Sequence, residues 1–121
     1  MSSFQDVREI KAWRLAHQLN LRVDLFLLSP DFKRHYTASD QLSSAVRSGP
    51  QYIADGSERL RCKEFAQCVR AARASEAEVL RHLVEAREQV LITDDEFLIA
   101  RQLTKRAMLA ASRLIRQLEA T

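Results

Sequence analysis

Apolar residues recur at three- and four-residue spacing along four stretches of the chain, and polar residues fill the opposite face of each. The first stretch, about 6–28, carries Ala12, Leu15, Ala16, Leu19, Val23, Phe26 and Leu27 on one side. Ser29-Pro30-Asp31 stops it, since the residue before a proline is driven out of the α region. The second, about 39–57, takes Ser39 as its N-cap and Leu42, Ala45, Val46, Ile53 and Ala54 as its stripe. Gly49-Pro50 falls in its middle, where a missing N–H and a clash with the preceding turn predict a kink or break. Gly56 suits the left-handed position beyond a helix end. The third stretch, about 62–90, has Phe65, Cys68, Val69, Ala72, Ser75, Val79, Leu83, Ala86 and Val90. The fourth, about 94–119, follows Thr93, with Glu96 three residues later as in a capping box. Its stripe is Ile99, Leu103, Ala107, Ala110, Leu114 and Leu118.

The links between these stretches are short, which forces neighbouring helices to lie antiparallel. The expected fold is therefore all-α: one domain over 1–121, an antiparallel up-down four-helix bundle with a kinked second helix. Composition agrees, because two glycines and two prolines leave room for few turns. The start of the chain shows no apolar leader, and the longest apolar run, Leu25 to Leu28, is far too short for a membrane span. A cytoplasmic protein without a membrane partner is expected. Cys62 and Cys68 lie six apart on one helix, cannot bridge without distortion, and read as reduced core thiols.

Little here suggests catalysis. No Glu is followed three residues later by His, as a bundle di-iron site requires. Glu78, His82 and Glu85 share a helix face, but one His with two acids reads as a salt-bridge row. His17 and His35 are isolated, and no Gly-rich loop or nucleophile elbow is present. No catalytic residue, metal or cofactor is expected, so function must lie in binding. Glu76 stands beside the apolar stripe, either at a helix edge or partly buried against a cation such as Arg47.

The net charge is only +3, yet 15 of the 19 basic residues are Arg, which suits bidentate phosphate contacts. Arg59, Arg61 and Lys63 cross the turn between the second and third helices, and Arg70 and Arg73 continue along the third. After Phe97 in the last helix, Arg101, Lys105, Arg106, Arg113 and Arg116 face one acid, Glu119. Two readings stay open: an ordinary solvated face, or a face for RNA or DNA. Without interleaved aromatics, nucleic acid would be held by its backbone, with strong salt dependence. A second stripe on the last helix (Met108, Ala111, Ile115, Leu118) and extra apolar positions on the first (Val7, Ile10, Trp13, Leu21, Leu28) suggest a subunit interface. Trp13 either anchors that interface or caps the bundle end.

Several motifs follow in order: Gln41-Leu42, Ala45-Val46, Ser48, Pro50, Ile53-Ala54-Asp55-Gly56, Lys63-Glu64-Phe65, then Ser75 and Glu78. With Phe4-x-Asp6 and Trp13-x-x-Ala16-x-x-Leu19 upstream, this resembles the four helix bundle protein family, also called the 23S rRNA intervening-sequence protein or S23 family. Ser43-Ser44 stand where the family has paired arginines, with Arg47 one turn away as a possible substitute; Gly49 replaces Ile, Tyr52 replaces Asn, Asp55 replaces Glu and Ala74 replaces Gly. The resemblance implies a ring-shaped homopentamer of bundles, without established enzymatic activity. It is also similar to accessory variability proteins of diversity-generating retroelements, which implies nucleic acid or a ribonucleoprotein as partner. The competing expectation is a protein-only scaffold that recruits another protein.

Overall fold

A computed structural model describes residues 6–120, and within them every regular element is a helix. Phe4, part of the resemblance above, lies outside them. A 3-10 turn, Val7–Glu9, leads into α1 (Lys11–Phe26); then come α2 (Pro30–Arg34), α3 (Tyr36–Ser57), α4 (Cys62–Glu88) and α5 (Asp94–Glu119). The four long helices are those read from the periodicity, with differences at their ends.

The first helix starts later than expected because Asp6 caps the 3-10 turn instead, accepting from the Arg8 N–H, and Ile10 is extended. Bonding to Arg8 holds the Asp6 carboxyl down to about 2. Ser29-Pro30 does more than stop a helix. Ser29 accepts from the Phe32 N–H and Pro30 occupies the first turn of α2, so the pair also starts one. That short helix exists to deliver Phe32, which is completely buried at one end of the bundle. Consequently α3 begins at Tyr36, not Ser39, and His35 stands at its N-cap.

Helix α3 then runs without a break through Pro50. Gly56 is a second correction. It is inside α3, and no glycine among the described residues has positive φ. A Cβ there would sit 2.7 Å from Cys68 Cβ and 2.8 Å from Phe65 Cδ1, so the glycine is required by close approach of α3 to α4. The left-handed residue is Val90, at φ 59°. It follows α4 in a Schellman arrangement: the Leu91 N–H donates to the Ala86 carbonyl (2.8 Å) and the Val90 N–H to Arg87 (3.0 Å). Val90 is therefore 78% exposed and off the stripe. Thr93 and Glu96 form the capping box of α5.

Each long helix packs on two others: α3 on α4 and α1, α5 on α4 and α1. Residue numbers run oppositely across these pairs. Arg70 meets Glu119, Arg73 meets Ser112 and Arg87 meets Asp94 between α4 and α5. Having two neighbours explains why α5 buries a broad face. Ile115, assigned to a subunit interface, is buried with Ala111 and Leu118 in the chain's own core, and so is Ile10; their apolar surface is already covered within the subunit. Ile99, by contrast, is 42% exposed, outside the stripe it was given.

The core is two clusters rather than one. One contains Ala12 to Ala16 of α1, Ile53, Phe65 to Ala72 and Ala107 to Leu118. The other contains Leu19, Val23 and Phe26, Phe32, Leu42, Ala45 and Val46, Val79, Leu83 and Ala86, Leu91 and Ile92, and Phe97 and Ala100. Between them each long helix except α1 places a residue that is not a hydrocarbon: Gly49 on α3, Glu76 on α4 and Thr104 on α5, all buried. Thr104 is satisfied by its own helix, donating to the Ala100 carbonyl at 2.7 Å.

Candidate nucleic-acid interface

The exposed side of α5 carries a row of cations. Its buried face runs from Phe97 through Ala100, Thr104, Ala107, Ala111 and Leu114 to Leu118. A hundred degrees per residue then leaves Lys105, Arg106, Arg113 and Arg116 on the wet side, all exposed. Arg106 and Arg113 flank the seam with α1. There they line, with Lys11, Leu15, Leu109 and Ala110, a shallow groove. Lys11 and Arg113 continue into a neighbouring groove of about 280 Å³ beside Glu9 and Gln117. Lys11 was not among the basic residues singled out from the sequence. It lies nearly a hundred positions from Arg106, and only the packing of α1 on α5 joins them.

The other edge of α5 faces α4. There Arg70 donates to Glu119, and Arg73 Nη1 donates to Ser112 Oγ at 2.9 Å. Arg70 is thus paired with an acid at the end of α5, while the partner of Arg73 is an uncharged hydroxyl. Lys63 lines a cavity with Cys62, Arg70, Leu118 and Glu119, which places the exposed Arg59 and Arg61 of the α3–α4 turn at the same end of the bundle. Two assigned cations stand apart. Arg101 is about 18 Å along the helix from Arg113 by helical rise. Arg47 is exposed on α3, which lies across the bundle from α5.

Glu76 is buried, 2% exposed, and not at a helix edge. Its neighbouring cation is Arg73, not Arg47, and neither carboxyl oxygen has a hydrogen-bond partner. Burial pushes the carboxyl up to about 8, against a smaller opposing pull from Arg73. His82 lies 3.3 Å from Glu85, and among the described residues no three His, Cys, Asp or Glu converge as metal ligands. Cys62 and Cys68 are free and partly exposed.

Apolar residues left outside the core run along α1 and just past its end: Leu21, Leu25 and Leu28 are 53%, 62% and 65% exposed. Trp13 is half-buried and stacks on His17 with ring centroids 4.6 Å apart. Val7 and Met108 are also half-buried. No described helix is long and apolar enough to cross a membrane.

The family model of the 23S rRNA-intervening sequence protein matches residues 8–111. The chain belongs to this family. The match takes in α1 to α4 and most of α5, hence every basic residue discussed except Arg113 and Arg116. Within the matched range Gly56 packs directly on Phe65. No curated protein matches the chain.

Proposed function

We propose that this family member is a non-catalytic binding module that grips the phosphate backbone of RNA or DNA, alone or in a ribonucleoprotein, through the cationic face centred on α5. The carrying observation is the convergence of Lys11 with Arg106 and Arg113 along the α1–α5 groove, continued by Lys105 and Arg116. Cations from separate helices on a rigid scaffold hold a fixed spacing, which a polyanion can match. The building block is an antiparallel up-down four-helix bundle, supported by the opposed numbering across helix pairs. It assembles as a ring-shaped homo-oligomer, a pentamer, through the surface holding Val7, Trp13 and Met108, and the exposed leucines of α1. Repetition of a weak cationic patch around a ring raises its overall affinity. Its place is the cytoplasm.

Fluorescence anisotropy of a labelled generic RNA at two salt concentrations tests this. Binding should weaken steeply with salt, and Arg106→Glu/Arg113→Glu should lower the slope of log K against log salt by about 1.4, two single-strand phosphate contacts. Absence of binding at low salt would refute it. The second reading, a protein-only scaffold, rests on the exposed Leu21, Leu25 and Leu28, and that same result would favour it. Light scattering checks the assembly, for which a mass of 13.9 kDa would exclude a ring.

A further inference from the structure

Glu76 occupies the layer where the two apolar clusters fail to join. It reaches toward α3 at Gly49, where a Cβ would lie 3.4 Å from Glu76 Oε2 and 3.6 Å from both Glu76 Cγ and Ala16 Cβ. A methyl at position 49 would rest in ordinary contact with Glu76, and only a side chain larger than Ala would claim the room that Glu76 takes. Both of its oxygens are buried and unpaired, and Asn20 of α1 also has a buried, unpaired Oδ1. Among the described residues the charge acting on it is Arg73, from its own helix; Gly49 of α3, Ala16 of α1 beside Gly49, and the buried Thr104 of α5 do not titrate. A carboxylate in such surroundings has lost its water and gained no donor, whereas a carboxylic acid loses far less.

We propose that Glu76 is held as a neutral acid at the waist of the bundle, so that acid tightens the fold and loss of this single proton loosens it from inside. The sign follows from linkage. The folded chain keeps a proton that the unfolded chain releases near the ordinary carboxyl value of 4.5. Between that value and the folded one the native state binds more protons, so stability falls as pH rises. It levels off once the folded form has also ionised.

Denaturant unfolding from pH 5 to 9, at fixed protein concentration, compares the natural chain with Glu76→Gln. Gln keeps the shape and cannot titrate, so the ratio of the two folding constants isolates this proton. That ratio should fall about tenfold per pH unit across pH 5 to 7, flattening near pH 8. Parallel profiles for the two proteins would overturn the proposal. Infrared spectroscopy of the natural protein, labelled at glutamate carboxyls, gives a second readout independent of any variant. A protonated-carboxyl band should persist at pH 6.5 and vanish above pH 9, and its absence at pH 6.5 would overturn the proposal equally.

Discussion

Replacing Val90 by glycine should make the protein more stable, although it removes a whole side chain. Val90 sits at φ 59°, the left-handed region, as the residue that ends α4. An L-residue there carries roughly 1–2 kcal/mol of strain from its Cβ against the next carbonyl, and a β-branched side chain belongs at the upper end. The surrounding structure enforces the conformation: Leu91 is 6% exposed and its N–H closes on the Ala86 carbonyl, so the turn cannot relax without pulling Leu91 from the core. Packing lost is negligible, because Val90 is 78% exposed. Glycine removes the strain but returns about 0.5–1 kcal/mol as added freedom of the unfolded chain. The net gain is about 1 kcal/mol, which for a domain of this length raises Tm by about 4 °C. Thermal unfolding followed by circular dichroism measures it, with Val90→Ala as control. Alanine keeps the Cβ and should recover only a small part of the gain. A lower Tm for Val90→Gly, or equal gains for the two variants, would refute the strain argument.

The two helical glycines should respond oppositely to alanine. Gly56→Ala forces a Cβ to 2.7 Å from Cys68 Cβ, an atom fixed to its backbone, and should cost about 1–3 kcal/mol in denaturant unfolding. Gly49→Ala meets nothing nearer than 3.4 Å and should be neutral or gain up to about 1 kcal/mol of helix propensity. A greater loss at 49 than at 56 would contradict both. Phe32→Ala, opening a cavity beneath α2, should cost about 3–5 kcal/mol, and a loss under about 1 kcal/mol would show that α2 is not a plug.

What could be read from the chain is what depends on near neighbours. Thr93 and Glu96 declare the start of α5 within four residues, and the α1 stripe from Ala12 to Phe26 is buried as its spacing requires. Gly56 was misassigned because a helix-ending glycine and a close-packing glycine look alike until Phe65 and Cys68 of another helix are in place. Val90 looked like one more apolar stripe residue, since nothing local shows that the helix has already ended. The five residues of α2 are too few for a period to show. Ile115 lengthened an apparent surface stripe only because one helix packing on two others needs a wider apolar arc. For the candidate interface, α5 announced its own cations, but Lys11 joins them through tertiary packing alone. Glu76 is the reverse case: the periodicity puts Ser75 on the stripe and Glu76 beside it, but the packing buries Glu76 and leaves Ser75 half-buried.

The division of the interior has a consequence for how this chain tolerates change. Phe65 and Phe32 belong to separate clusters, so holes made at the two sites share no wall and their costs should simply sum. Each compartment can therefore be redecorated during divergence without retuning the other, and only substitutions at the partition itself, Gly49, Glu76 or Thr104, need to change in concert.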